Sequence, residues 1–203
     1  MGRYLGPKHR VCRRAGEKLC DAARCPSQRR SYPPGMHGPR LRKKVTEYGA
    51  QLLEKQKLRM IYGIMERQLR KYYDDALRVE GNTSELLVAK LERRLDNVVF
   101  RLGFVKTRAA ARQAVSHGHI TVNGKKLNIP SYTVKVDDVI GIRERKKASS
   151  MFQDYAQVAA AISIPAWLAA EPATHSGRVI RMPEIKDAQP VFRTQSIVEF
   201  YSR

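Results

Sequence analysis

The chain has 203 residues, of which 39 are Lys or Arg and 19 are Asp or Glu, so its formal net charge is +20 at pH 7. An excess of this size predicts a polyanionic partner, with nucleic acid the first candidate and an anionic membrane the second. The length suffices for one large or two small domains, and an odd total of three cysteines argues against a disulfide framework.

The positive charge is concentrated in two parts of the chain. Residues 1–44 hold 13 basic and 2 acidic residues, and residues 90–147 hold 14 and 5. The rest is balanced, at 12 and 12. Because solubility alone requires no such segregation, we expect two surfaces that contact a polyphosphate.

Residues 1–44 form a segment rich in Arg, Lys, Pro and Gly, with little periodicity, which predicts an extended basic N-terminal arm. Its first residues lack the apolar run of a signal peptide. The most apolar stretch of the chain, near residue 160, is short and interrupted by Pro165, so no membrane span is expected. These features predict a cytoplasmic protein.

All three cysteines lie in this arm, and the spacing of Cys20 and Cys25 is suited to zinc. Three ligands do not make a structural zinc site, but His9, three residues before Cys12, supplies a fourth. A Cys3His site would hold together a segment with almost no apolar core. The alternative is that the thiols are merely packed and His9 faces RNA.

Helical periodicity begins after Thr46, a predicted N-cap, with predicted stops at Gly63 and Gly81. A following helix, with Ser84 as its expected cap, should bury one stripe of apolar side chains: Leu87, Leu91, Leu95, Val98 and Leu102. Another helix should begin at Thr107 and end at Gly118.

Short strands are predicted after the last of these helices. Asn123-Gly124 is typical of a tight hairpin turn, because both residues accept a positive φ. Residues 132–142 alternate like a strand, with a turn at Asp137-Asp138. The fold class expected from these patterns is α+β, mostly helical, with a small antiparallel sheet.

His117 and His119 flank a glycine, and the residues leave several roles open. Further ligands of suitable spacing are missing for a metal site. A catalytic site would need a nucleophile or a carboxylate pair nearby. The remaining interpretations are that both shape a helix-to-strand turn, or that they contact phosphate or ribose.

The segments "LERRLDNVVFRLGF", "TRAAARQAVSHGHITVNGKK" and "YTVKVDDVI" resemble the small RNA-binding module found in ribosomal, RNA-modifying and tRNA-charging proteins. The flanking segments "MGRYLGP", "YPPGMHG", "EKQKLRMIYGIMERQ" and "SIVEFYSR" are similar to bacterial small-subunit ribosomal protein four. The resemblance covers nearly the whole chain. With it we divide the chain into the arm at 1–44, a helical domain at 45–89, an RNA-binding module of helices plus antiparallel hairpins at 90–150, and a C-terminal segment at 151–203 that returns to the helical domain.

The resemblance implies a structural protein that binds small-subunit rRNA directly and early in subunit assembly. It implies contact with small-subunit ribosomal protein five, a contribution to translational accuracy, and a position near the path by which mRNA enters. No membrane, small-molecule substrate or homo-oligomer is expected. Some members of this family carry two cysteine pairs in the arm and bind zinc there, whereas this chain has His9 at the first position and a shorter connection between the pairs.

We expect rRNA contacts from basic side chains of both regions, with two polar residues assisting. In the arm these are Arg3, Arg13, Arg14, Arg40, Arg42, Lys43 and Lys44, and in the module Arg93, Arg94, Arg101, Lys106, Arg108, Arg112, Lys125 and Lys126, with Thr107 and His119 as the polar residues. The expected metal ligands are His9, Cys12, Cys20 and Cys25.

Two other classes of function are compatible with a basic chain of this length. An RNA-modifying enzyme would need a catalytic domain, and the chain has neither a phosphate-binding glycine loop nor a nucleophile elbow. We therefore expect no enzymatic activity. A DNA-binding regulator with a zinc-stabilised arm would be favoured if duplex DNA competed equally with structured RNA.

Overall fold

The structure is a computed structural model that describes residues 4–40, 45–153, 155, 157, 159, 163–188 and 190–203. The chain divides into two compact units, one of Met1–Leu87 with Pro190–Arg203 and the other of Val88–Gln189. The boundary expected at residue 150 therefore falls inside the second unit, and the predicted four-part division stays a prediction.

The secondary structure is mixed. The helices with described bounds are α1 (Lys8–Ala15), α2 (Glu47–Tyr62), α3 (Glu66–Leu77), α4 (Thr83–Glu92), α5 (Leu95–Arg101), α6 (Arg108–Ser116), α7 (Ile185–Ala188) and α8 (Thr194–Ser202). The strands are β1 (Ile120–Val122), β2 (Lys125–Lys126), β3 (Val139–Ile142), β4 (Leu168–Glu171) and β5 (Ser176–Val179). The predicted α+β class is confirmed.

The arm is not extended throughout, as the sequence had led us to expect. It contains α1, which begins after Pro7 and ends at Gly16, whose φ of 75° is readily accepted by glycine. A helix of eight residues, about two turns, gives little periodicity to read in the sequence. It forms because it buries Cys12 in a small cluster with Leu19 and Cys25, against which Met60 and Ile61 of α2 also pack.

The ends of α2 agree with the sequence. The Thr46 hydroxyl accepts a hydrogen bond from the Gly49 amide at 3.2 Å, and Gly63 ends the helix with a φ of 61°. Along its length α2 packs against the C-terminal helix α8, where Ile197 is fully buried. The Tyr201 ring stacks on Tyr73 with ring centroids 4.9 Å apart.

The helix expected to start at Ser84 differs from the observed structure in two ways. Its N-terminus is capped by Asn82, whose side-chain oxygen accepts from the Ser84 amide at 3.1 Å. It also breaks at Arg94 into α4 and α5, because the amide of Leu95 donates to Tyr132 and that of Asp96 to Pro130. The five predicted stripe residues are nevertheless all fully buried.

The second unit contains one antiparallel sheet with the strand order β2-β1-β3-β5-β4. The Asn123-Gly124 turn is confirmed, with φ values of 50° and 76° between β1 and β2. The predicted strand at 132–142 is regular only in β3, because the Asp138 carboxylate closes a turn by accepting from the Lys135 amide at 2.8 Å.

The core of this unit lies between the helices and the sheet. Side chains from α5 and α6 pack with those of β1, β3 and β5, and Trp167 is fully buried among them. Burial of apolar surface on this scale provides the dominant stabilising free energy of a domain. The sheet and helices therefore form a framework that presents the polar side chains of the module at fixed positions.

Candidate metal centre and nucleic-acid interface

The structure brings together the four predicted metal ligands. The ligand atoms of His9, Cys12, Cys20 and Cys25 all lie within 4.8 Å of one another. His9 Nδ1 is 3.7 Å from Cys20 Sγ and 3.5 Å from Cys25 Sγ. Helix α1 places His9 and Cys12 three residues apart, hence on one face.

The arrangement of these four side chains fits a metal ion with tetrahedral coordination. With ordinary Zn–S and Zn–N bond lengths, the edges of a tetrahedral site measure about 3.5–3.8 Å, which matches the two distances from His9. Three thiols and one imidazole form a donor set typical of structural zinc, with no position left open for a substrate. The residues present therefore fit the metal that the sequence predicts.

The thiols of Cys12 and Cys25 differ in acidity. Burial raises the pKa of the Cys12 thiol to about 11, against a backbone hydrogen bond from Leu19. Burial acts in the same direction on Cys25, but hydrogen bonds from Ser27, His9 and Cys20 outweigh it and lower the pKa of Cys25 to about 6. Ser27 Oγ lies 3.1 Å from Cys25 Sγ. Ser27 was not anticipated from the sequence.

The arm is fixed to α2 by an ion pair beside the cluster. Lys57 of α2 is nearly buried, and its Nζ lies 3.2 Å from the Glu17 carboxylate and 2.8 Å from that of Glu54. Burial lowers the pKa of this ammonium group, but hydrogen bonds to Glu54 and Glu17 outweigh it and raise the pKa. The Glu17 contact joins the arm to α2, as the thiol cluster does, whereas the Glu54 contact lies within α2 and holds the Lys57 side chain in place.

Several of the predicted RNA-contacting arginines are internal to the module. Arg94 is only 1% exposed and binds Asp96 through two hydrogen bonds of 3.1 and 2.8 Å. Arg112 of α6 donates to the same carboxylate at 2.9 and 2.7 Å. The Arg94 guanidinium is enclosed and paired, and Arg112 has a structural role; the predicted phosphate contacts of both stay predictions.

A second buried carboxylate holds Arg101. Glu92 is fully buried, and Arg101 forms a bidentate pair with it at 3.1 and 2.9 Å while also donating to the Ala188 carbonyl at 3.0 Å. Asn97 donates to Glu92 at 2.7 Å. Removing one member of such a buried pair typically costs about 3–5 kcal/mol. Arg101 therefore stabilises the framework, which we had not expected.

Arg93 and Arg108 are partly buried and also support the framework. Arg93 donates to the Val134 carbonyl at 3.1 Å, and burial lowers the pKa of its guanidinium. Arg108 donates to Asn97 at 3.0 Å and lies 4.3 Å from the centroid of the Phe100 ring. Their phosphate contacts stay predictions.

The module presents other cations on its surface. Lys106 precedes α6, and Lys125 and Lys126 form β2; all three are exposed. Thr107 is the N-cap of α6, and its hydroxyl accepts from the Ala110 amide at 3.1 Å, as the sequence predicts. These lysines lie where a ligand can reach them, in contrast to the buried arginines.

His119 is partly buried, and its ring is nearly perpendicular to that of Phe152, at 87° and a centroid distance of 6.3 Å. Burial and the positive charges of Lys146, His117, Arg143 and Lys126 lower the pKa of its imidazole, so the neutral form is favoured at pH 7. Its Nδ1 is enclosed and makes no hydrogen bond within the described part of the chain. Its predicted polar contact with RNA stays a prediction.

The arm residues of the predicted set fall into three groups. Arg13 is partly buried and donates to the Tyr32 and Pro33 carbonyls at 3.2 and 3.3 Å. Arg14 and Arg40 are exposed. The remaining four, Arg3, Arg42, Lys43 and Lys44, lie outside the described residues.

The sequence reasoning missed the buried carboxylates and some exposed cations. Asp96 and Glu92 are isolated acidic residues in a basic segment, and that isolation was the available signal. Exposed arm cations that were not singled out are Lys8, Arg10, Lys18, Arg24, Arg29 and Arg30. Among the described residues, no helix is both long and apolar enough to cross a bilayer.

Comparison with known proteins gives a full-length match. Residues 3–92 match the family described as "Ribosomal protein S4/S9 N-terminal domain", and residues 93–140 match the "S4 domain". A small ribosomal subunit protein uS4 from Roseiflexus sp. (strain RS-1) is 50% identical over 206 residues, covering all of both chains. The chain belongs to the uS4 family.

Other uS4 proteins show the same extent of similarity. The relative from Symbiobacterium thermophilum, named uS4A, is 48% identical over 209 residues, and the one from Thermoanaerobacter sp. (strain X514) is 47% identical over 209 residues, each covering all of both chains. The family expected from the sequence is thereby confirmed. The names of these uS4 relatives are those of ribosomal proteins and not of enzymes, in agreement with the predicted non-catalytic class.

Proposed function

We propose that this chain is a component of the small ribosomal subunit, in the cytoplasm, and that it binds small-subunit rRNA directly without catalysing a reaction. The observation that carries the proposal is the full-length match to small ribosomal subunit proteins at about half identity. The charge of +20, concentrated in the arm and the module, supports a polyphosphate partner.

The structure suggests how the module binds RNA. Its buried ion pairs and apolar core hold α5, α6 and the sheet in place before any ligand arrives. Exposed Lys106, Lys125 and Lys126 are then presented on a rigid surface. A rigid array of cations selects the spacing of phosphates in folded RNA, and so recognises shape more than base sequence.

Competition between nucleic acids tests this proposal. The full chain is bound to labelled small-subunit rRNA at moderate salt, and unlabelled rRNA or duplex DNA of equal length is added. A shape-selective RNA binder should be displaced by RNA at concentrations far below those of DNA. Equal competition by DNA would favour the DNA-binding alternative instead.

We also propose one structural Zn²⁺ ion held by His9, Cys12, Cys20 and Cys25. Zinc would supply the cross-link that an arm with so small an apolar cluster otherwise lacks. The measurement is zinc per mole of protein purified without metal-affinity resin, beside a Cys20→Ser variant. Near one equivalent, lost in the variant, supports the site, and the absence of zinc in the unmodified chain contradicts it.

The remaining proposals depend on the family resemblance. They are early binding during subunit assembly, contact with small-subunit ribosomal protein five, a contribution to translational accuracy, and a place near the path of incoming mRNA. Reconstitution of small subunits with and without this chain tests the assembly role. Binding to purified ribosomal protein five, with and without rRNA, tests the contact.

A further inference from the structure

A cavity of about 460 Å³ lies in the arm beside the cysteine cluster. Its volume is within the range of sites that hold small ligands or ligand groups. Seven residues line the cavity: Arg13, Arg24, Cys25, Pro26, Gln28, Arg29 and Arg30. Four of the seven are arginines, and none is acidic.

The walls of this cavity, which we call the arginine pocket, are held in place by local structure. Cys25 belongs to the metal cluster. The next residues turn tightly, since the amides of Arg29 and Arg30 both donate to the Pro26 carbonyl, at 3.2 and 2.9 Å. On the other side, the Arg13 guanidinium lies 4.9 Å from the Tyr32 ring centroid and is hydrogen-bonded to backbone carbonyls.

The charges in the arginine pocket have no balancing carboxylate in the part of the chain that the structure describes. Among the described residues, no carboxylate pairs with the guanidinium groups of Arg24, Arg29 or Arg30, and all three side chains are exposed. This contrasts with Arg94, Arg101 and Arg112, which are paired with carboxylates. Several guanidinium groups held around one cavity repel one another, and an anion in the cavity relieves that repulsion.

The geometry of guanidinium groups also determines which anions the pocket is suited to bind. Each presents a planar fork of N–H donors that matches two oxygens of a phosphate group, so arginine is well suited to bidentate phosphate recognition. We propose that the arginine pocket binds phosphodiester oxyanions of the RNA backbone, as a contact separate from the lysines of the module. This inference rests on the proposed function for its RNA and adds the site and its ligand chemistry.

Cys25 connects the metal cluster to the proposed RNA contact. Cys25 is both a wall of the arginine pocket and a predicted metal ligand, and the turn that carries Arg29 and Arg30 starts directly after it. The cluster therefore positions arginine side chains as well as stabilising the arm. In this arrangement the metal ion does not contact the RNA directly.

A double variant, Arg29→Gln with Arg30→Gln, tests the pocket in the full chain. The matched control is Arg67→Gln with Arg70→Gln, two exposed arginines on α3, which changes the net charge equally. Binding of inorganic pyrophosphate is measured by calorimetry, and binding of small-subunit rRNA is measured over a range of salt concentrations. Zinc content of each variant, compared with the unmodified chain, reports whether the arm is still folded.

The expected result is a loss of pyrophosphate affinity of about tenfold or more in the pocket variant, with little change in the control. In the rRNA titration, loss of two phosphate contacts should flatten the salt dependence by about 2 in the slope of log K against log[salt]. If the zinc content is unchanged, the arm is still folded, and the losses of pyrophosphate affinity and of salt dependence are due to the pocket arginines themselves.

Other results would overturn the inference. An unchanged rRNA salt slope would exclude these arginines from the RNA contact, even if pyrophosphate binding fell, because a free phosphate compound would then be the ligand. Equal effects in the control would show that only net charge matters. Either result leaves the proposed function intact if the unmodified chain still prefers rRNA to DNA, whereas failure of that preference would count against the function itself.

Discussion

The two basic regions of this chain use their arginines in different ways. In the module, Arg94, Arg101 and Arg112 are paired with carboxylates and hold helices together. In the arm, Arg24, Arg29 and Arg30 surround a cavity without acidic walls. A positive segment therefore does not by itself indicate which cations reach a partner; the position of the few acidic residues decides it.

The two regions also differ in what holds them together. The module lies in the second unit, whose extensive apolar core includes Trp167. The buried cluster of the arm consists of Cys12, Leu19 and Cys25. We therefore expect the module to keep its fold without any ligand, and the arm to depend on a metal ion. The following experiments test that difference, beginning with the largest expected effect.

Removal of zinc should unfold the arm and leave the module intact. Structural zinc sites contribute on the order of 10–16 kcal/mol to the folding of small metal-binding peptides, far more than a cluster of three side chains can. After chelation, trypsin should cut at Arg10, Arg13 and Arg14, as read by mass spectrometry, while the fluorescence of Trp167 stays constant. Equal protection with and without chelator would refute the dependence of the arm on metal.

The module should depend on its buried carboxylate. Asp96→Asn leaves Arg94 and Arg112 without their shared negative charge, and we expect a loss of about 3–5 kcal/mol in the free energy of unfolding. Urea denaturation followed by the fluorescence of Trp167, the only tryptophan, measures it.

The control for that variant is Asp137→Asn. Asp137 pairs with Arg178 at 2.6 Å, but both side chains are more than half exposed, at 69% and 58%. Solvent screens this pair, so the expected loss is at most about 1 kcal/mol. Similar losses in both variants would mean that burial does not distinguish the two ion pairs.

Two pairs of substitutions should separate framework cations from contact cations. Arg108→Gln with Arg112→Gln should lower the free energy of unfolding by about 1–3 kcal/mol, since these side chains bind Asn97 and Asp96. Lys125→Gln with Lys126→Gln should change it by no more than about 0.5 kcal/mol.

Binding of rRNA should be affected more by the lysine substitutions than by the arginine substitutions. The lysine pair should flatten the salt dependence of rRNA binding by about 2 in the log–log slope. A larger flattening of this slope for the arginine pair than for the lysine pair, at unchanged stability, would support the predicted phosphate contacts of Arg108 and Arg112.

The smallest effect is expected at Glu66, a partly exposed carboxylate that joins α3 to α8. Burial raises the pKa of Glu66, but hydrogen bonds from Lys55 at 2.8 Å and from the Tyr201 hydroxyl at 2.7 Å outweigh it and lower that pKa below the usual 4.5. The ionised form is thus favoured by folding, so its contribution is present above pH 4.5 and is lost as the pH falls through the lowered pKa.

Glu66→Gln should therefore lower Tm by no more than about 4 °C at pH 7. The difference from the unmodified chain should shrink on acidification toward pH 3. Glu80→Gln, at an exposed site in the same unit, is the control. A difference that stayed constant with pH would show that ionisation of Glu66 does not contribute.

Features with a local cause were predictable from the sequence. Thr46 and Thr107 cap their helices, and Asn123-Gly124 forms its turn, because each depends on hydrogen bonds or backbone angles within a few residues. The apolar stripe from Leu87 to Leu102 is buried because helical spacing alone places these residues together.

Features with a distant cause were not predictable. The break at Arg94 depends on hydrogen bonds from Leu95 to Tyr132, residues far apart in the chain. The role of Arg112 depends on the burial of Asp96, 16 residues away. The four metal ligands could be proposed because all lie in one short segment, whereas the arginine pocket appears only when the turn after Cys25 is folded.

The division of the chain into units has a consequence for the order in which the protein folds during synthesis. The unit that contains the N-terminus also contains Pro190–Arg203, while Val88–Gln189 forms the other unit. A ribosome releases the chain from N- to C-terminus, so α2 emerges well before α8, the helix that packs against it. The unit whose first residues are synthesised first is thus the second of the two to be completed. In the other unit, one edge of β3 remains unpaired until β5, about 35 residues later, has emerged.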